Sequence, residues 1–270
     1  MIREFFGIDG YQRPAEGFLS WQHLTFVSVL MVIMTFLALW LGLKNQNRTA
    51  REKNRVLIVA ALLLDGAELC KILLQSILFR DPLRFLHELP LFLCSIQLIA
   101  LPMAAFSRGR LKEACLDFVC IFGIIGAVLG TYCAGNNYGS YPVLSFDNVI
   151  SGVTHSISGF ASLYIMAARM ADMKKQNLPI TIAILLGFCI AAYIANLILD
   201  YNYMFLTRGD GTPYDLLYNL VSGHKVLYPL GVVILFLIYI AVFRGVFLLV
   251  RRHREAAASS ADQVSQSHVG

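Results

Sequence analysis

Charge is what this chain has least of. Aspartate, glutamate, lysine and arginine make up 14% of its 270 residues, against roughly a quarter in an ordinary soluble domain. That scarcity excludes a fully solvated surface. The net charge of +5 does not point to nucleic acid, because no basic cluster is interleaved with aromatic residues. Metal spacing is missing as well. The cysteines Cys70, Cys94, Cys115, Cys120, Cys133 and Cys189 form no CxxC and no Cys/His pair, so no metal and no cofactor is expected. There is no GxGxxG or phosphate loop. Internal repeats and inverted symmetry are also absent, which counts against a carrier of the inverted-repeat type. No cleavable signal is expected either, since Glu4, Asp9 and Glu16 precede the first apolar segment, the wrong flank for one.

What the chain does have is apolar length. Hydrophobic residues supply 57% of it. They gather in seven stretches, roughly 21–43, 56–79, 89–106, 114–134, 148–170, 179–199 and 226–250. Each is close to the ~20 residues that a helix needs to cross a hydrocarbon core of ~30 Å. Backbone groups in lipid must be satisfied within the segment, so helices are expected rather than strands. The fold class predicted is all-α, a polytopic membrane bundle of seven transmembrane helices over 21–250. An outer segment, 1–20, precedes the bundle, and a small, polar, disordered tail, 251–270, follows it.

The few charges orient the bundle. Lys44, Arg48, Arg51, Lys53 and Arg55 face one acid, Glu52, in the first loop. Arg108, Arg110, Lys112, Lys174, Lys175, Arg251, Arg252 and Arg254 belong to the same side. The opposite segments (1–20, 80–88, 135–147 and 200–225) hold six basic residues against nine acids. The positive-inside rule then puts the N-terminus outside and the C-terminus in the cytoplasm, as an odd number of spans requires. The plasma membrane is the expected location.

An ionisable group inside the hydrocarbon is costly and is a functional candidate by default. Asp65, Glu68 and Lys71 lie in the second stretch, and Glu68 and Lys71 share a helix face. An ion pair that only fixes packing is an equal alternative for these two. Counting from the outer ends at 1.5 Å per residue, Cys94 is ~9 Å and His155 ~12 Å deep. Gln97 and Asn196 fall at comparable levels, and His23, His87, Asp200 and His224 mark the outer rim. A thiol and an imidazole at one depth suit a nucleophile and its base, able to pass through an acyl-enzyme. Each alone is more often structural: a membrane histidine bridges helices, and a membrane cysteine fills space.

Several segments together resemble one family. Ser20-Trp21-Gln22-His23-Leu24 opens the first stretch, Glu68 lies in the second, and Leu89-Pro90-Leu91-Phe92-Leu93-Cys94 opens the third. His155 follows in the fifth, and Asn202-Tyr203-Met204-Phe205-Leu206 comes after the sixth. In this order and spacing the chain resembles the YwaF family of bacterial integral membrane proteins. That family is related to the eukaryotic transmembrane protein 164, a lipid acyltransferase. The resemblance implies a seven-helix bundle that moves acyl chains between phospholipids, with Cys94 as nucleophile and His155 as base. His23, Glu68, Lys71, His87, Gln97, Asn202 and Tyr203 are the expected supporting or substrate-binding residues. Phe92 departs from the pattern, because the family commonly has histidine there; if that histidine is essential, the chain either lacks the chemistry or uses His87 or His155 instead.

The expected partners are membrane phospholipids, at a site facing the outer leaflet. Two other readings stand beside it: a small-solute or proton-coupled transporter using the intramembrane charges, and a non-enzymatic bundle that binds lipid or a partner. Thr212-Pro213 is expected to start a short helix over 214–221 on the outer face, either a lid or a loop helix resting on the bundle.

Overall fold

The computed structural model describes residues 2–8, 10–80 and 82–267, except for the side chains of Ile2, Arg84, His87, Glu255 and 257–267. Helices account for almost all the regular structure, and no strand occurs among the described residues. They are α1 (Ile2–Phe5), α2 (Trp21–Asn45), α3 (Ala50–Leu78), α4 (Gln97–Phe106) and α5 (Gly109–Tyr132), followed by α6 (Gly135–Ser140), α7 (Phe146–Ala167), α8 (Leu178–Leu199), α9 (Tyr214–Leu220) and α10 (Leu227–Ser267).

Local chemistry sets where they start. The Ser20 hydroxyl accepts the His23 N–H at the head of α2, and the Ser145 hydroxyl accepts that of Asn148 at the head of α7. Thr49 and Glu52 exchange hydrogen bonds in a reciprocal capping box before α3. The short outer helix starts one residue later than a Thr212 cap implies, with Pro213 as its cap residue and no side-chain cap; the Thr212 hydroxyl accepts the Tyr214 N–H at 3.3 Å across that turn. At the head of α10, the Nδ1 of His224 accepts the N–H groups of Val226 and Leu227.

Five helices, α2, α5, α7, α8 and α10, are long and apolar enough to cross a membrane. This is a multi-pass membrane protein. The two other expected spans differ, each for a physical reason. α3 has the length, 29 residues, but Asp65, Glu68 and Lys71 lower its hydropathy. The stretch 89–106 is not the continuous helix expected. Only Gln97–Phe106 is α-helical, about 15 Å at 1.5 Å per residue and half the hydrocarbon thickness. Pro90 lacks an N–H and pushes Leu89 out of the helical region, so the chain arrives through a short 3-10 turn, Arg84–His87, and further turns.

α5 is the centre. In its apolar stretch 72% of residues are buried, against 17% in that of α10, so α5 is wrapped by other helices while α10 turns most of its surface outward. α7 packs along α5 through small residues, which let the backbones approach. A side chain at Gly123 would meet the Ser158 carbonyl oxygen at 2.6 Å, and one at Gly159 the Ala127 Cβ at 2.7 Å. The Ser162 hydroxyl donates to the Cys120 carbonyl oxygen at 2.6 Å across the same seam. α2 closes the other side of α7, where Gly42 abuts Ala167.

The capping box gives a test. Hydrogen bonds from the Thr49 hydroxyl and N–H hold the Glu52 carboxyl below its ordinary range. A carboxyl depressed by folding contributes stability that is complete above its unfolded pKa, about 4.5, and lost as pH falls through the folded value. Glu52→Ala is therefore expected to lower the thermal midpoint at neutral pH, with the gap to wild type closing on acidification. A gap independent of pH contradicts this account.

Candidate functional site

The turns before α4 bring their side chains to the middle of the bundle. Ser95 pins the approach: its hydroxyl accepts the Phe92 N–H at 3.0 Å and donates to the Phe92 carbonyl oxygen at 3.1 Å. The next turn carries Cys94. Its thiol lies near the imidazole of His155 on α7, close enough for each to act on the other's charge.

The imidazole is held from behind. His155 Nδ1 lies 2.7 Å from the Ser151 carbonyl oxygen, one helical turn earlier. A carbonyl only accepts, so Nδ1 carries the proton and Nε2 is left with the lone pair. α5 supplies the space. A Cβ at Gly126 would come within 3.3 Å of Cys94 Cα and Cβ, and one at Gly130 would overlap the imidazole ring around Nε2. Gly123, Gly126 and Gly130 thus form the groove in which α7 and the Cys94 turn both sit. Cys94 and His155 are each only half-buried, so the pair is not sealed off.

The charged residues of α3 are beside it. Lys71, 8% exposed, donates to Glu68 at 2.6 Å and to Glu88 at 2.9 Å. Glu68 is close enough to His155 for its charge to act on the ring. Gln75, one turn after Lys71, binds Asp147 at the head of α7, whose other oxygen accepts from Tyr11 at 3.3 Å. Gln97 is fully buried one turn beyond Cys94.

Other expected site residues are spent on architecture. His23 is fully buried; its Nδ1 accepts the Leu19 N–H at 3.1 Å, and its Nε2 lies 3.0 Å from the Thr131 carbonyl oxygen as donor. Both nitrogens are used, and the ring stacks at 3.9 Å on Tyr138. Asn202 organises its loop, donating to the Arg208 carbonyl and to Asp210 at 2.8 and 2.7 Å and accepting from Thr207. Tyr203 is clamped by Asn196 through both backbone groups, at 2.6 and 3.0 Å, while its hydroxyl donates to the Leu86 carbonyl oxygen. The side chain of His87 lies outside the described ones.

Phe92 now has a physical explanation. Its ring packs against Tyr203 at 5.1 Å and against Tyr201 and Phe205 at 6.2 Å each. The two motifs most specific in sequence, 89–94 and 202–206, therefore form one contact. An aromatic ring fits this niche through apolar area.

Sequence reasoning missed Glu88 as the second partner of Lys71, the Gln75–Asp147 bond and the Ser151 carbonyl. It also missed the α5 glycines. Only the glycines carried a signal, their i, i+3, i+7 spacing on one face.

The fold is that of a multi-pass helical membrane protein. The sequence model of the TMEM164 family matches residues 18–251, which is most of the chain, and the chain belongs to that family. No curated protein and no solved structure matches it.

Two outcomes test this geometry. Gly130→Ala places a methyl on the imidazole, and overpacking of this kind costs about 1–3 kcal/mol; alkylation of Cys94, followed on its own peptide by mass spectrometry, is expected to change rate. An unchanged rate places the ring elsewhere. Lys71→Met leaves two carboxylates without their cation and is expected to destabilise the fold by about 3–5 kcal/mol, with part recovered in Lys71→Met/Glu68→Gln. A wild-type melting curve for the single variant contradicts the ion-pair account.

Proposed function

We propose that this protein transfers acyl chains between phospholipids through a covalent intermediate on Cys94. The observation that carries the reading is the nearness of Cys94 to His155, with Nδ1 committed to Ser151. His155 Nε2 takes the thiol proton, and the thiolate attacks the ester carbonyl of a phospholipid. The tetrahedral intermediate collapses with cleavage of the bond to the glycerol oxygen, which leaves with the proton from the imidazolium. The acyl chain stays as a thioester. A lysophospholipid hydroxyl then gives its proton to His155 and attacks the thioester, releasing the Cys94 thiolate. With water as acceptor the same steps make a hydrolase. Glu68 offsets the positive charge that appears on His155.

The same reading completes the topology. α3 and the 84–106 segment pass through the bilayer with the five apolar helices, making seven crossings in the plasma membrane, N-terminus outside and C-terminus inside. The charge asymmetry of the loops supports this orientation. Non-helical backbone at membrane depth is tolerated where it is buried in protein or lines a cavity, and the turns before α4 are half-buried. The Cys94 layer then faces the outer leaflet, and its half-exposure suits sideways entry of a lipid.

A second reading, a proton- or solute-coupled transporter, is favoured by Asp65, whose Oδ1 is buried in α3 without a hydrogen-bond partner. One experiment separates the two. Purified protein in liposomes is given a phospholipid with one labelled chain and a lysophospholipid acceptor, and products are read by lipid mass spectrometry. Transfer is expected in wild type and is expected to be lost in Cys94→Ala and His155→Ala. Persistence of transfer in Cys94→Ala removes the nucleophile. Uptake that needs Asp65 or Glu68 and ignores Cys94 replaces this reading with the transporter.

A further inference from the structure

Gln97 is the first residue of α4, and it is fully buried. Neither its amide nitrogen nor its amide oxygen has a hydrogen-bond partner, and it is alone among the described residues in having both ends of a side-chain amide unmet. The buried asparagines show the contrast: Asn148 and Asn177 each donate through Nδ2, and Asn196 uses both of its atoms. A buried polar group without a partner costs about 1–3 kcal/mol, so a glutamine here is poor packing chemistry on its own. Methionine has nearly the same shape and no such cost.

Its position says what the amide can serve. Cys94 and Gln97 are three residues apart in a stretch already wound as helical turns, with the Gln97 N–H 3.4 Å from the Cys94 carbonyl oxygen and the Ile96 N–H 3.0 Å from that of Phe92. That spacing puts both side chains on one face. A carbonyl carbon bonded to the Cys94 sulfur lies on the face that also carries the Gln97 amide.

We infer that Gln97 is a catalytic residue whose Nε2–H donates to the carbonyl oxygen of the acyl group on Cys94. This deepens the acyl-transfer reading and rests on it. As the thiolate attacks, the C=O π pair moves to oxygen, and the Gln97 amide holds that oxyanion. As the intermediate collapses, the pair returns, the ester C–O bond breaks, and the leaving oxygen takes its proton from His155. Gln97 exchanges no proton. It serves both half-reactions alike, because each passes through a tetrahedral carbon on the same sulfur. Its cost in the free protein and its use in the reaction have one origin: the partner it is shaped for is the substrate.

The test is Gln97→Met in the full-length protein in liposomes, with the labelled phospholipid and lysophospholipid acceptor. Loss of one oxyanion donor is expected to lower kcat about 10²–10³-fold with KM little changed. Two further readouts separate a carbonyl donor from a packing residue. The iodoacetamide alkylation rate of Cys94, read on its own peptide, is expected to stay at the wild-type value because it forms no oxyanion. The thermal midpoint is expected to hold or rise, since an unpartnered amide has been removed. A kcat within about threefold of wild type overturns the assignment, and so does a fall in midpoint accompanied by altered alkylation, which marks a structural glutamine. Cys94→Ala run alongside tells the failures apart: if that variant still transfers acyl chains, or wild type transfers none, the thioester reading itself falls.

Discussion

The rest of the structure depends on how one interrupted stretch of backbone is satisfied in an apolar environment. Between Glu88 and Ile96 the chain is not α-helical, and its N–H and C=O groups need partners that water does not provide there. Ser95 closes a turn on Phe92, and the Tyr203 hydroxyl donates to the Leu86 carbonyl oxygen. The break also places Cys94 at the head of a half-length helix. Burying such a turn requires something narrow to lie against it, and the glycine face of α5 is that surface.

Electrostatics then constrain the same layer. One ammonium, Lys71, holds two carboxylates, Glu68 from its own helix and Glu88 from the start of the interrupted segment. The pairing fastens α3 to the chain just ahead of Cys94. It also leaves the layer with an excess of negative charge beside His155, where the proposed reaction develops positive charge. The loop after α8 has a narrower task. Asn196 and Asn202 fix a backbone that turns left-handed at Asp200, Met204 and Phe205, and such residues persist only where their surroundings hold them. What they hold is Tyr203, and Tyr203 holds Phe92.

The helical, multi-pass character could be read directly, because apolar length and scarce charge have few other solutions. Whether Cys94 lies near His155 was not legible, because Cys94 sits on turns and not on the helix along which its depth was counted. Depth along each helix follows from 1.5 Å per residue, but rotation about the helix axis does not, and rotation decides whether two side chains at one level touch. The interrupted third segment was misjudged as a whole helix because its hydropathy is that of a span. Pro90 was the available warning, and a proline near the start of an apolar run is equally at home in a helix's first turn. His23, Asn202 and Tyr203 look functional in sequence because polar residues in apolar surroundings are expensive. The structure places their polar atoms on neighbouring backbone groups, partners that side-chain sequence does not display.

The sequence by itself determined the solvent this chain belongs in and the helical form of most of its long segments. Those properties depend on composition, on spacing along one helix and on chemistry within a few residues. Only the tertiary structure decided which groups face one another: Lys71 between two glutamates, His155 seated over Gly130 with its Nδ1 tied to Ser151, and Gln97 buried with no partner. Helix rotation, crossing and the unwinding ahead of α4 are settled by close packing among several segments at once, and no single stretch of sequence carries that information.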